Sequence, residues 1–149
     1  MKNVFIVLTV LIFFSTTIKA EATAPAYSNN QEFQKILKEI ESTAFYHKDL
    51  NEAEDKAFYV YDTALKRFQT SNNSSSKLES EIKLQDKKNL AEISYVIAVI
   101  KALRDDNGNN LNFKLAKEFA KQAQQLDPKN NNIKDLILHI NNLARLKEK

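Results

Sequence analysis

The sequence predicts an all-α protein of about five helices packed as antiparallel hairpins. Three observations carry that expectation. Apolar residues recur at spacings of three and four along most of the chain, the period of an amphipathic helix. One Gly and two Pro in 149 residues are too few for a β architecture, which needs turn residues about every 8–12 positions. Alanines stand at helical intervals in "AKEFAKQAQQLDPKNN" (116–131), which ends in Leu-Asp-Pro and a polar turn.

The N-terminus reads as a targeting segment. Met1-Lys2-Asn3 is a short positive start, Val4 to Phe14 is an apolar run of eleven residues, and "STTIKAEA" is a polar, small-residue exit. This is the layout of a secretory signal peptide, here residues 1–22, and the run is well short of the roughly 20 residues a bilayer span needs. Cleavage follows either Ala20 or Ala22. The expected product is exported, periplasmic or secreted, with no stable membrane insertion. It has no Cys, so its single helical domain (31–149) must stand on an apolar core alone. The formal charge of +3 falls to +1 without Lys2 and Lys19, or +2 if Glu21 leaves as well. That balance argues against a nucleic-acid partner.

Residues 23–30 read as a flexible lead. Asn29 with Glu32 forms a capping box that starts a first helix, to about Tyr46, striped by Phe33, Ile36, Leu37, Ile40 and Ala44. A second helix starts near Asp49, with Leu50, Ala53, Ala57, Val60, Tyr61, Ala64 and Phe68 on its apolar face. Its acids crowd the first turns and Lys66-Arg67 lie near its end, as the helix dipole favours. A linker is expected at 69–76 around "SNNSSS", followed by a second capping box, Ser76 with Glu79. A third helix spans Lys77 to Arg104, sparse in apolar groups at first and dense from Leu90, either continuous or broken near 85–89. "DDNGNN" (105–110) turns the chain into a fourth helix, about Asn112 to Leu126. A fifth runs from about Asn131 to Lys147, striped by Ile133, Leu136, Ile137, Ile140, Leu143 and Ala144.

Helix axes lie about 8–10 Å apart depending on the side chains at the contact, and alanine at a crossing permits a close approach. Ala116, Ala120 and Ala123 therefore predict a fourth helix lying tightly on a partner. Pro128 cannot continue a helix interior and pushes Asp127 out of helical geometry, so the chain turns there.

"FKLAKEFAKQAQQLDP" (113–128), with Phe113, Ala116, Ala120, Ala123 and Pro128, resembles the second helix of a tetratricopeptide repeat. Ile100 and Leu103 resemble its first helix. A second copy, spanning about 34–67, resembles the repeat through Leu37, Ile40 and Ala44, then Leu50, Ala53, Ala57 and Val60, but has Leu65 where the proline belongs. The copies are offset by 63 residues, Ala53 to Ala116. The resemblance implies a short solenoid that binds a peptide or protein surface in a groove lined by the first helix of each pair. The alternative architecture is an irregular helical bundle with one repeat-like hairpin.

Reactive constellations are few, and no enzyme is expected. His47 ends the first helix; His139 follows Asp135 by one turn without a third ligand, so no metal and no cofactor is expected. Gly108 sits in an acidic turn, but Leu103 and Lys114 stand where a calcium-binding loop needs acids. The basic C-terminal segment 129–149 reads as a capping helix with a polar outer face. Aromatics off the apolar stripes are the interface candidates: Tyr46 at the end of the first helix, with Phe58 and Tyr59 on the second. The expected function is an exported protein-binding or scaffold module with an unidentified protein or peptide partner. The alternative is a structural, self-associating helical envelope protein.

Overall fold

The computed structural model describes residues 25–72, 79–104 and 110–147. Among them are five helices and no strand: α1 (Asn30–Phe45), α2 (Leu50–Asn72), α3 (Glu79–Leu103), α4 (Asn110–Leu126) and α5 (Asn131–Lys147). The expected signal segment 1–22, linker residues 73–76, the expected Ser76–Glu79 box, the turn at 105–109, and the side chains of Leu143 and Ala144 lie outside the described residues.

Asn29 caps α1, its side chain accepting from the Glu32 N–H at 3.0 Å. The Glu32 carboxylate reaches one residue further back than in a standard capping box, to the Ser28 N–H at 2.6 Å and the Ser28 hydroxyl at 2.8 Å. These bonds hold its carboxyl below the usual range. α1 ends at Phe45, with Tyr46 as its C-cap, and the chain turns away at Lys48, whose φ of 57° is left-handed. The Asp49 N–H returns to the Thr43 carbonyl at 3.1 Å. Asp49 then caps α2 by accepting from the Glu52 N–H at 2.9 Å.

The lead is not free where it is described. The Ala26 N–H donates to Thr63 Oγ1 at 3.0 Å, and Tyr27 is 1 % exposed. Its ring meets Phe33 edge-on at 5.0 Å, with the Arg67 guanidinium 5.3 Å from its centroid. Burial of this large aromatic against Phe33 and Arg67 ties the segment to the core. The linker also begins later than expected, because residues 69–72 continue α2.

α3 is one unbroken helix. The polar residues that suggested a break are buried with partners: Asp86 against Arg67 at 3.2 Å, and Asn89 accepting from Gln85 Nε2 at 2.9 Å. From Leu90 to Ile100 it buries Leu90, Ala91, Ile93, Val96, Ile97, Ala98 and Ile100. The alanines of α4 face inward: Ala116, Ala120 and Ala123 are fully buried. α3 and α4 pack more extensively than any other pair, as small residues at a helix crossing allow.

Side-chain pairs fix helix direction. Asn30 meets Gln85 and Gln34 meets Glu92, separations of 55 and 58 residues, so α1 and α3 run parallel. Tyr61 meets Gln122, a separation of 61, while Phe58 and Tyr61 both meet Phe119, so α2 and α4 run parallel. Arg67 pairs with Asp86 and Glu54 with Lys101, so α2 is antiparallel to α3. The hairpin α1–α2 is thus repeated by the hairpin α3–α4, stacked in the same sense. α5 packs on α4 and, less extensively, on α3. One layer holds α1, α3 and α5; the other holds α2 and α4.

Candidate binding face

The α2–α4 side is closed by its own side chains. The Phe119 ring takes Phe58 edge-on at 5.8 Å and Tyr61 at 5.4 Å. The Tyr61 hydroxyl and the Gln122 amide meet at 2.8 Å, and burial raises the tyrosine's pKa although that bond opposes it. At the C-terminal end of α3, Glu54 takes Lys101 at 2.6 Å and Arg104 besides, and Arg104 also reaches Asn51. Burial pushes the Glu54 carboxyl up, but the bonds and charges of Lys101 and Arg104 outweigh it and hold the group below the usual range.

The α1–α3–α5 side is different. α3 buries most of its circumference, yet Lys88, Glu92, Tyr95, Val99 and Leu103 form a stripe at spacings of four, three, four and four that is exposed or half-exposed. α1 and α5 flank it. Glu92 accepts from Gln34 of α1 at 2.7 Å. The Tyr95 hydroxyl is raised in pKa by burial and then by the carboxylates of Glu41, from α1, and Asp135, from α5. The parallel register of α1 and α3 brings Phe45 level with residues 100–103, so Phe45 (50 % exposed) and Leu103 (42 %) close one end of this stripe. The result is a shallow face with an aromatic and aliphatic floor and flanks of mixed charge, Lys38 a turn from Glu41 on α1 and Lys134 beside Asp135 on α5.

The sequence-derived candidates fall in three places. Tyr46 is 84 % exposed, beside Phe45 at the end of the face. Tyr59 is 45 % exposed on the outer side of α2, away from it. Phe58 is half-buried in the seam between the hairpins, against Phe119 and with Lys101 Nζ 5.6 Å from its centroid. The structure brings none of these three together. Tyr95 and Val99 were not among the candidates, because a half-open stripe on a densely apolar helix looks like core. The available signal was Glu92 interrupting that density, in step with Lys88 before it and Tyr95 after it.

Among the described residues no group of three or more His, Cys, Asp or Glu is placed to hold a metal ion, and no helix is long and apolar enough to cross a membrane. No protein-family model matches this chain, and neither curated proteins nor solved structures give a match.

Proposed function

We propose that this protein is an exported scaffold that binds a protein or peptide partner on its α1–α3–α5 face without transforming it. The supporting observation is the repeated stacking of the two hairpins. Cross-hairpin pairs stand 55 and 58 residues apart in one layer and 61 in the other, close to the 63-residue offset of the tetratricopeptide-like copies. Stacking in one sense puts the first helix of each hairpin on a common side, where α3 keeps an open stripe between its neighbours. That resembles the groove-forming layer of a short helical solenoid. The side chains there are of the kind enriched at interface centres, an aromatic with aliphatic neighbours inside a polar rim.

Site-specific photocrosslinking in the native host tests this reading. p-Benzoylphenylalanine placed at Val99 should yield discrete heavier adducts, whereas the same group at Lys121, exposed on α4, should yield none. Absence of adducts from positions 92, 95 and 99 alike would rule the binding role out.

A further inference from the structure

The binding role proposed above places a partner on the α1–α3–α5 face, and the partner's identity, which rests on that role, is indicated by the make-up of the face. Its charges balance: Lys38, Lys88 and Lys134 stand with Glu41, Glu92 and Asp135. Such a surface selects neither a basic nor an acidic occupant. It suits one that carries both signs in matching places, and the same face turned over on itself does so.

The open stripe of α3 has the spacing this needs. One turn before Lys88 it takes in Leu84, 54 % exposed. Leu84, Lys88, Glu92, Tyr95, Val99 and Leu103 follow at intervals of four, four, three, four and four, the same read from either end. In an isologous pair each residue meets its two-fold counterpart on the other copy. With two α3 helices antiparallel and centred between Glu92 and Tyr95, Leu84 meets the second copy's Leu103. Lys88 lays its aliphatic stem along Val99, and Glu92 accepts from the Tyr95 hydroxyl.

α1 adds to these matches. It runs parallel to α3, with Asn30 against Gln85 and Gln34 against Glu92. Lys38, exposed and one turn past Gln34, is therefore level with residue 96 and falls opposite the second copy's Glu92. Among the described residues neither Lys38 nor Glu92 is engaged in an ion pair. Phe45, level with Leu103, falls opposite Leu84. A parallel pair would instead set Lys88 against Lys88 and Glu92 against Glu92. The stripe is roughly 28 Å long, and three helices in one layer span roughly 20 Å. Two such faces cover on the order of 1,000 Å² in all, the low end for a specific interface, which suits a reversible dimer.

We infer that the α1–α3–α5 face binds a second copy of this chain, in an antiparallel two-fold pair centred between Glu92 and Tyr95.

Sedimentation velocity on the whole mature chain tests it. The chain should dimerise with a Kd on the order of tens of micromolar. Lys38→Glu and Glu92→Lys should each weaken the dimer about tenfold, since each turns two exposed charge contacts from attraction to repulsion. Mixing the two variants should restore it, because each carries the charge the other lacks; a lesion in the fold would not be rescued that way. Lys121→Glu, exposed on α4, should leave dimerisation unchanged. A monomer at concentrations up to about ten times the expected Kd, or no recovery on mixing, would overturn the pairing. The Val99 crosslinking protein separates this from the binding role. Adducts of twice the chain's mass support both. Adducts with other proteins alone leave the binding role standing and remove the second copy; absence of adducts from positions 92, 95 and 99 removes both.

Discussion

Arg67 and Asp86 meet at 3.2 Å across α2 and α3, and the Asp86 side chain is only 5 % exposed. The same guanidinium donates to the Ser28 carbonyl at 2.9 Å and lies over the Tyr27 ring. One side chain thus joins the lead, α2 and α3. Removing one partner of a buried pair typically costs about 3–5 kcal/mol; because Arg67 is about one-third exposed, a lower value of about 2–3 kcal/mol is expected for Arg67→Ala. Urea unfolding measures it, and a loss below about 1 kcal/mol would refute the linkage.

Tyr27 buries a hydroxyl that makes no complete hydrogen bond. Burial pushes its pKa up to about 12, an effect that Arg67 and the adjacent Asn89 only partly oppose. A raised folded pKa means stability fully present below the unfolded value, near 10, and lost as pH rises towards about 12. Tyr27→Phe should therefore be neutral or stabilising at pH 7 and should flatten the alkaline fall in melting temperature. Tyr27→Ala should cost about 3–5 kcal/mol by opening a cavity. A Phe variant as damaged as the Ala variant would show that the hydroxyl has a role beyond packing.

Glu54 runs in the opposite sense. Its folded pKa lies below the ordinary 4.5 because Lys101 and Arg104 outweigh its burial. The stability it contributes is present above the unfolded value and lost as pH falls below it, through the folded value. Glu54→Gln should lower stability at pH 7 and narrow the gap to wild type below about pH 4. Parallel acid-unfolding curves would count against this.

Ala120 is fully buried on α4. Ala120→Leu should overpack the interior and cost about 1–3 kcal/mol, while Lys121→Leu, one residue on and exposed, should change stability by less than about 0.5 kcal/mol. Equal effects in thermal melts would mean that α4 is not seated through its small residues.

Lys48 holds a left-handed backbone, φ 57°, that suits glycine better. Lys48→Gly relieves a steric cost of about 1–2 kcal/mol, offset in part by greater chain entropy in the unfolded state. A net gain of roughly 0.5–1 kcal/mol is expected in a denaturant titration. A loss would mean that the lysine side chain does something there that outweighs the strain.

The helices were legible because their periodicity is local: five segments, their order and the inward alanines all follow from spacing. The extension of α2 to Asn72 was not, since Ser and Asn favour turns and residues 69–72 are held helical in spite of that. The capture of Tyr27 depends on Arg67 and Phe33 converging from separate helices, which no local pattern records. Phe58 and Tyr59 are neighbours in sequence and off-stripe alike; only the seating of Phe119 sends one into the seam and leaves the other outside. The open stripe of α3 depends on where α1 and α5 stop covering it, a property of assembly.

α5 rests on α4 with a lighter touch on α3, and among the described residues no other helix packs extensively on it, leaving Leu138 61 % exposed. Contacts in such a stack pass only between neighbours, so the last rod can lift away while the four before it stay closed. Its amides should then exchange with deuterium well ahead of those of α3, and whatever approaches Tyr95 from that side would meet a wall that opens and shuts on its own.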